Sequence, residues 1–408
     1  MNPHSLLRRR EFLGLLGCGT SCLLAKDPFS LGAIWNRIQI ADPDRVLVLV
    51  QLSGGNDGLS MIVPHADDIY YRVRPATSIG AASVLKLNDY VGLNPKLSDL
   101  RPLHEGGQLA VIQGVGYPQP NRSHFESMDI WHSGDLRGRD AGEGWIGRWA
   151  DAVDDSAFDP NTVVHVGGDK PWSLHARRHA AIAFARPESF TWAGTEDERK
   201  AFEMVAESRP GNGRDNAIER IRKSLRDAQV SSASIRDSAA RYKPKAKYPT
   251  STLARQLTTI AGLIHGGVRG RVYSVGFGGF DTHQGQRGRH DGLMSTLGGS
   301  LAAFLQDLKL QGLEQRVVVV TFSEFGRRVA ENGSAGTDHG TAGPMLVLGA
   351  PVKGGIYGTH PSLADTDRGD LKFSTDFRSV YGTLIDRWIG GSSRELLGGP
   401  FDALGFLA

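Results

Sequence analysis

Carboxylates and imidazoles recur at the ends of apolar runs in this chain of 408 residues. Asp281 and His283 follow one such run and are separated by a single residue. In extended backbone their side chains point the same way, so one cation can bind both. Glu324 ends a second apolar run, and His339 lies further along the chain. Because carboxylate oxygens and imidazole nitrogens are ligands of divalent metals, these four residues indicate a metal site.

Two earlier segments carry further candidates. Asp57 lies in a glycine-rich loop, and Arg122, Ser123 and His124 are consecutive. Asp57 is a candidate metal ligand, although an aspartate in such a loop can instead hold a tight turn. Ser123 is a candidate nucleophile, and the neighbouring His124 is a candidate contact for an anionic group. Either Arg122 or Arg327 could hold the ester oxygens that do not react. The same serine forms a Ser-x-x-Glu capping box with Glu126, so helix capping is an alternative that is compatible with nucleophilicity.

The later candidates also have structural alternatives. Glu324 could form an ion pair with Arg327 or Arg328 on the following turn. His339 is predicted to bind metal, with the neighbouring Asp338 orienting its ring.

Continuous apolar runs rich in β-branched residues are typical of strands buried on both faces of a parallel sheet. Six such runs are present: Val46–Val50, Leu109–Ile112, Thr162–Val166, Val272–Val275, Arg316–Val320 and Met345–Leu348. Apolar residues at helical spacing predict helices over Ser251–Leu263 and Leu293–Leu308. Strands alternating with helices predict an α/β layered fold with a mostly parallel sheet. In such folds ligands bind beyond the carboxyl ends of the strands, where the candidate residues lie.

Composition and missing motifs exclude several functions. The formal net charge of +3 gives no general attraction to nucleic acid, so no nucleic-acid partner is expected. The chain has no phosphate-binding loop, no His-Glu-x-x-His motif and no dinucleotide fingerprint. A metal-free serine hydrolase is the least favoured enzyme, because no Gly-x-Ser-x-Gly elbow is present.

The amino terminus predicts export. Arginines 8–10 precede an uncharged stretch from Phe12 to Ala25, which is too short for a stable membrane span. The pattern resembles a twin-arginine signal over residues 1–25, which makes the twin-arginine export machinery a partner and the periplasm or the exterior the location. Both cysteines, Cys18 and Cys22, lie in this segment, so the mature chain has no thiol chemistry. Lipidation at Cys18 is an open alternative.

Five ordered motifs together resemble the DUF1501 family, which is grouped with the alkaline phosphatase and sulfatase superfamily. They are Leu52-Ser-Gly-Gly-Asn-Asp-Gly-Leu59, Asn121-Arg-Ser-His-Phe125, Phe280-Asp-Thr-His283, Thr321-Phe-Ser-Glu-Phe-Gly-Arg327 and Gly336-Thr-Asp-His-Gly340. The resemblance implies an alkaline phosphatase-like layered fold over residues 43–395, with helices on both faces of the sheet. The polar residues 185–250 are expected to form a helical insertion or lid.

The superfamily resemblance also implies roles for single residues. Asp57, or alternatively Asn56, would bind one metal, and Ser123 would be the nucleophile. Asp281 and His283 would bind the other metal, and His339, ahead of Pro344, would be the last histidine ligand. The cofactor would be one or two divalent ions (Zn, Mn or Ca). Glu324 stands where related phosphatases carry an Asp-His pair, so a single-metal enzyme or a protein without catalysis remains open.

Two functions follow from this pattern. The first is an exported metal-dependent hydrolase of a phosphate or sulfate ester, acting on a small-molecule or glycan ester. The second is a non-catalytic envelope protein that keeps the fold and binds an anionic or glycan ligand. Oligosaccharide binding without any response to divalent cations would favour the second.

Overall fold

A computed structural model describes residues 42–154, 157–192, 194–207 and 217–407. The predicted signal segment, with Cys18 and Cys22, lies outside the described residues. The strands are β1 Val46–Ser53, β2 Ile62–Val63, β3 Leu85–Lys86, β4 Gly92–Leu93, β5 Leu109–Gly116, β6 Val163–Val166, β7 Ile182–Phe184, β8 Val272–Gly278, β9 Val317–Phe322, β10 Gly343–Leu348, β11 Gly355–Tyr357, β12 Thr366–Asp367, β13 Asp370–Leu371 and β14 Thr375–Asp376. The helices are α1 Gly58–Met61, α2 Asp68–Val73, α3 Arg101–Glu105, α4 His124–Ser133, α5 Trp145–Ala152, α6 Glu196–Glu207, α7 Ala217–Arg241, α8 Thr252–His265, α9 Gln286–Leu310, α10 Phe377–Leu384 and α11 Ser393–Leu397.

Nine strands form one large sheet in the order β11-β5-β10-β9-β1-β8-β6-β7, with β14 paired to β5. Strands β9, β1, β8, β6 and β7 are mutually parallel, and β10 runs antiparallel between β5 and β9. All six apolar runs become strands of this sheet, because each is buried on both faces. The prediction of an α/β fold with a mostly parallel sheet is confirmed.

The central strand β1 shows how the sheet separates two layers of helices. Leu47 and Leu49 point into a core that also contains Trp145 and Tyr381 from α5 and α10. Val46, Val48 and Val50 point the opposite way, into a core that includes side chains of α8 and α9. Alternate residues of a strand face opposite sides, so the uninterrupted apolar run serves both layers.

The predicted helices at Ser251–Leu263 and Leu293–Leu308 exist as α8 and α9, and α9 begins seven residues earlier than predicted. Within the polar segment 185–250, α6 and α7 are helical. Among the described residues, no helix has both the length and the hydropathy that spanning a bilayer requires.

Candidate metal centre

Strand register brings the ends of three neighbouring strands to one edge of the sheet. β1 pairs with β8 up to Ser53 and Gly278, and with β9 up to Gln51 and Phe322. The residues that follow these strands therefore meet at the same edge. They are the loop that begins at Gly54, the segment that contains Asp281 and His283, and Glu324.

Gly54 allows the loops to approach closely. Its φ is +117°, and a Cβ on this residue would lie 2.4 Å from the backbone nitrogen of Asp281. Only glycine adopts this backbone without strain and leaves room for the neighbouring chain. The Gly54 N–H also donates to Oε1 of Glu324 at 2.8 Å. This glycine thus connects the loop after β1 to the ends of both neighbouring strands.

Three histidines surround the carboxylate of Asp281. Its Oδ1 lies 3.0 Å from Nε2 of His283, 3.4 Å from Nε2 of His339 and 3.6 Å from Nε2 of His124. Ligand atoms of His124, Asp281 and His339 all lie within 4.8 Å of one another. His283 Nε2 lies 2.9 Å from His339 Nε2, but His283 does not belong to this mutual set of three. One carboxylate and two imidazoles therefore present their donor atoms to a common point, with a third imidazole beside them.

The other ring nitrogen of each histidine has its own partner. Nδ1 of His124 lies 2.7 Å from Glu324 Oε1, and Nδ1 of His283 lies 3.0 Å from Asp338 Oδ1. Nδ1 of His339 lies 2.8 Å from the backbone carbonyl of Arg122. Because carboxylates and carbonyls only accept, each Nδ1 carries a proton, and each ring turns its Nε2 toward Asp281. Metal-binding histidines commonly have this arrangement.

His124 shows that the donor set suits a cation. Its Nε2 is buried and has no hydrogen-bond partner within the described part of the chain. A buried nitrogen without a partner costs free energy, and a bound cation would relieve this cost. The hydrogen bond to Glu324 raises the pKa of His124, whereas burial lowers the pKa of His339.

Arg327 supports Asp281 from behind. Its side chain is fully buried and donates to Asp281 Oδ1 at 2.7 Å and to the Gly55 carbonyl at 2.7 Å. Burial raises the pKa of Asp281, but Arg327 and the neighbouring imidazoles outweigh this effect and lower the pKa to about 2. Asp281 is therefore ionised at neutral pH, as a metal ligand must be.

A cavity of about 710 Å³ opens beside this cluster. Its lining includes His124, Asp281 and Glu324, together with residues of β1, β6, β8 and α4 and the segment 167–172. The volume is within the range of small-molecule sites, about 300–1,000 Å³. The metal-type cluster thus has an adjoining space large enough for a substrate.

Comparison with known proteins identifies the family. The model of the family described as "Protein of unknown function (DUF1501)" matches residues 44–381. The chain belongs to this family. The match includes every residue of the cluster and all five motifs, so the predicted family membership is confirmed. No curated protein matches this DUF1501 chain.

Several solved structures resemble the DUF1501 chain at low sequence identity. Ps i-CgsB in complex with k-i-k-neocarrahexaose is 12% identical, with 89% of this chain and 73% of that chain covered and a TM-score of 0.40. The lipoteichoic acid synthase LtaP from Listeria monocytogenes is 10% identical, with 91% and 78% covered and a TM-score of 0.37. A protein in the alkaline phosphatase superfamily from Vibrio parahaemolyticus is 9% identical, with 96% and 75% covered and a TM-score of 0.36. Likenesses this distant carry no argument about the reaction of the DUF1501 chain.

The structure gathers some of the predicted site residues and separates others. Asp281, His283 and His339 meet as the metal pattern predicts. His124, which was expected to contact an anion, faces the same point as these three. Glu324 was predicted as a ligand, but both its oxygens are engaged by neighbours: Oε1 by His124 and the Gly54 N–H, and Oε2 by the Ser323 hydroxyl.

Asp57 is engaged elsewhere, which corrects its expected place in the site. Its carboxylate is fully buried and forms an ion pair with Arg74, with 2.6 Å between Arg74 Nη1 and Asp57 Oδ2. It also accepts from the Ser60 hydroxyl at 2.8 Å, from the Gln286 amide and from the Leu59 N–H. Its acceptor sites are thus occupied by protein groups, and it caps α1. Arg74 is distant in sequence, and no local pattern indicated it as the partner.

Arg122 and Asp338 also contact different partners from those expected. The guanidinium of Arg122 donates through Nη2 to the buried Asp370, and its side chain is 39% exposed. Asp338 contacts His283 rather than its neighbour His339, because adjacent side chains in extended backbone point opposite ways. Ser123 caps α4, with its Oγ accepting from the Glu126 N–H at 3.5 Å.

Proposed function

We propose that this DUF1501 protein is a metal-dependent hydrolase of a phosphate or sulfate ester. The supporting observation is that His124, His283 and His339 direct their Nε2 atoms toward one oxygen of Asp281, while every Nδ1 is held by an acceptor. A structural ion pair would need only one such histidine. Three together, with a buried unpartnered nitrogen among them, suit a bound cation.

The donor set narrows the choice of metal. Two imidazoles and one carboxylate, with the third imidazole of His283 close by, suit Zn²⁺ or a similar transition metal, whereas Ca²⁺ prefers oxygen ligands. Within the described residues His124, Asp281 and His339 form the only group of three such ligands whose atoms lie this close together, and Asp57 and Glu324 are occupied by other partners. We therefore propose one ion rather than two. A divalent ion held there would polarise an ester oxygen. It would also offset the negative charge that develops as the alcohol group of the ester is displaced.

Ser123 is the proposed nucleophile. It directly precedes His124 and lies at the amino terminus of α4, a helix of ten residues. Unpaired N–H groups and the helix dipole at this end favour negative charge, which would stabilise the ionised hydroxyl. Glu324 and the Arg122 carbonyl hold the rings of His124 and His339 in place, and Arg327 keeps Asp281 ionised.

The decisive assay uses the purified full-length chain with 4-nitrophenyl phosphate and 4-nitrophenyl sulfate. Zn²⁺, Mn²⁺ and Ca²⁺ are each supplied to protein first treated with chelator. We expect hydrolysis with Zn²⁺ or Mn²⁺ and none after chelation, and we expect Asp281→Ala to be inactive and free of metal by elemental analysis. Asp367→Asn, which changes an exposed surface carboxylate, is the control. Absence of both hydrolysis and bound metal in the wild-type chain would refute the proposal.

A second function, ligand binding without catalysis, is favoured by one observation. Arg327 is buried with Nε, Nη1 and Nη2 all donating to protein groups, and Nη2 of Arg122 is held by Asp370, so neither arginine presents its whole guanidinium to an ester. Metal binding without turnover of either ester would support this function over hydrolysis.

We also propose export through the twin-arginine pathway, on the basis of residues 1–25. Replacing Arg9 and Arg10 by lysine in the full chain should leave the protein in the cytoplasm, as measured by cell fractionation. Unchanged export of this variant would refute the pathway.

A further inference from the structure

Five uncharged hydrogen-bonding side chains that line the 710 Å³ cavity are here termed its floor: Gln51, Ser53, His132, His165 and Ser274. His132 Nε2 lies 2.7 Å from the Gln51 amide oxygen, and the Gln51 amide nitrogen donates to Ser53 Oγ at 2.9 Å. His165 Nδ1 lies 3.3 Å from Ser274 Oγ. The floor thus offers donors and acceptors in a fixed arrangement.

Both floor histidines are neutral. Burial lowers the pKa of His132 to about 3 and the pKa of His165 to about 4. At neutral pH neither ring adds positive charge to the cavity. Each ring can therefore donate with one nitrogen and accept with the other.

The charged residues that line the cavity do not favour an anion. Four carboxylates (Asp129, Asp169, Asp281 and Glu324) stand against two cations (Arg139 and Lys170). Arg139 is further paired with Asp129 at 2.8 Å. If the ligand carried a negatively charged group in addition to its phosphate or sulfate, the carboxylates would therefore repel that additional group.

One aromatic side chain adds an apolar surface to this polar space. Phe125 follows His124 directly, lines the cavity and is 84% exposed. A phenyl ring left in water next to a site has no role in packing the core. It suits the apolar C–H face of a ring whose hydroxyls point toward the floor.

We infer that this cavity binds an uncharged, polyhydroxylated group of the sugar class, with Phe125 against its C–H face and Gln51, His132 and His165 toward its hydroxyls. Its assignment as the alcohol part of the ester rests on the proposed function. Binding of the group itself does not, because none of these side chains belongs to the metal cluster.

One glycine on the cavity wall and one outside the cavity give a matched pair of variants. A Cβ on Gly167 would lie 2.6 Å from His165 Nε2 and 3.4 Å from the Gln256 amide nitrogen. A Cβ on Gly80, which does not line the cavity, would meet nothing within 4 Å. Gly167→Ala therefore obstructs the floor histidine, and Gly80→Ala does not.

The test measures binding of neutral disaccharides (maltose, cellobiose and lactose) to the full-length chain by isothermal titration calorimetry. ADP and 1-naphthalenesulfonate serve as anionic and aromatic probes. We expect at least one disaccharide to bind more tightly than either probe. Phe125→Ala and Gly167→Ala should each weaken binding by about tenfold, the scale of one lost contact. Gly80→Ala and Phe373→Ala, which change exposed residues outside the cavity, should leave it unchanged.

The inference is overturned if no disaccharide binds, if a probe binds more tightly, or if neither Phe125→Ala nor Gly167→Ala weakens binding. Phe125 is exposed, so its variant keeps the test valid if Gly167→Ala misfolds. The same titration with Asp281→Ala separates the two proposals. Hydrolysis of aryl esters without disaccharide binding overturns this inference alone, and disaccharide binding without hydrolysis overturns the proposed function and the alcohol assignment.

Discussion

Nε2 of His283 lies 2.9 Å from Nε2 of His339, although each ring already donates its Nδ1 proton to another residue. Two lone pairs at this distance repel each other unless a proton or a cation lies between them. Asp281, which is 3.0 Å from His283, supplies the negative charge that either would need. A bound cation would account for this contact, and the metal-binding measurements below distinguish a cation from a shared proton.

Zinc should therefore stabilise the folded chain. A ligand that binds only the native state at 100 times its Kd adds about 2.7 kcal/mol to the free energy of unfolding. We expect this gain with Zn²⁺ and little with Ca²⁺, measured by thermal denaturation of chelator-treated protein. Asp281→Asn should abolish the gain, and Asp367→Asn should keep it. An equal response of Asp281→Asn and the wild type would place the metal elsewhere.

Glu324→Gln should lower the affinity for metal without changing the number of bound ions, which stays at one. The carboxylate holds Nδ1 of His124 at 2.7 Å, and loss of such a partner typically reduces metal affinity about 10–100-fold. Competition with a chromophoric chelator measures the affinity. Glu105→Gln, which changes an exposed helix pair with Arg101, is the control. Unchanged affinity in Glu324→Gln would mean that His124 is not a ligand.

Ser123→Ala should remove hydrolysis without removing metal. Loss of a nucleophile reduces kcat by at least about a thousandfold, whereas loss of a helix cap costs only about 1 kcal/mol of stability. Ser392 provides a matched control, because it caps α11 in the same Ser-x-x-Glu pattern with Glu395. Ser392→Ala should match the stability loss and retain activity. Equal activity in Ser123→Ala and Ser392→Ala would show that Ser123 caps α4 and is not the nucleophile.

Gly54→Ala should disrupt the metal centre, because Gly54, in the loop after β1, packs against the backbone of Asp281. Its Cβ would lie 2.4 Å from the Asp281 nitrogen in a backbone conformation that alanine rarely adopts. We expect metal affinity to fall at least about tenfold, with stability lowered by about 1–3 kcal/mol. Gly80→Ala, where a Cβ would meet nothing within 4 Å, should change neither. Wild-type affinity in Gly54→Ala would show that the loop adjusts without moving Asp281.

Asp57 should affect stability in acid rather than metal content. Burial raises its pKa, but Arg74 and further hydrogen bonds outweigh this effect and lower it from 3.8 to about 2. Stability from this depressed pKa is present above the unfolded value and is lost as pH falls through the folded one, a change of about 2 kcal/mol. Asp57→Asn should lose about 3–5 kcal/mol at neutral pH, because Arg74 stays buried without its partner.

Urea denaturation between pH 2 and pH 7 measures both effects of Asp57→Asn. The variant should lack the part of the acid loss that Asp57 causes, and its metal content should equal that of the wild type. If Asp57→Asn lost its metal but kept wild-type stability, Asp57 would be a metal ligand after all.

Much of the architecture could be predicted from local patterns. The valine runs that became β1 and β9 are buried on both faces, and this burial follows from hydrophobicity alone. The helical spacing near Leu257 and Phe304 likewise predicted α8 and α9. The same reasoning could not give the antiparallel direction of β10, because strand direction depends on the route of the chain between strands.

The metal cluster was only partly predictable, for a physical reason. Asp281 and His283 are close in sequence, so extended backbone was enough to place them together. The ring direction of His124 depends on Glu324, which is 200 residues away, and the partner of Asp57 is an arginine from another segment. Residue types and strand ends established which groups could bind a cation. Long-range hydrogen bonds, formed only when the sheet assembles, decided which of them face it.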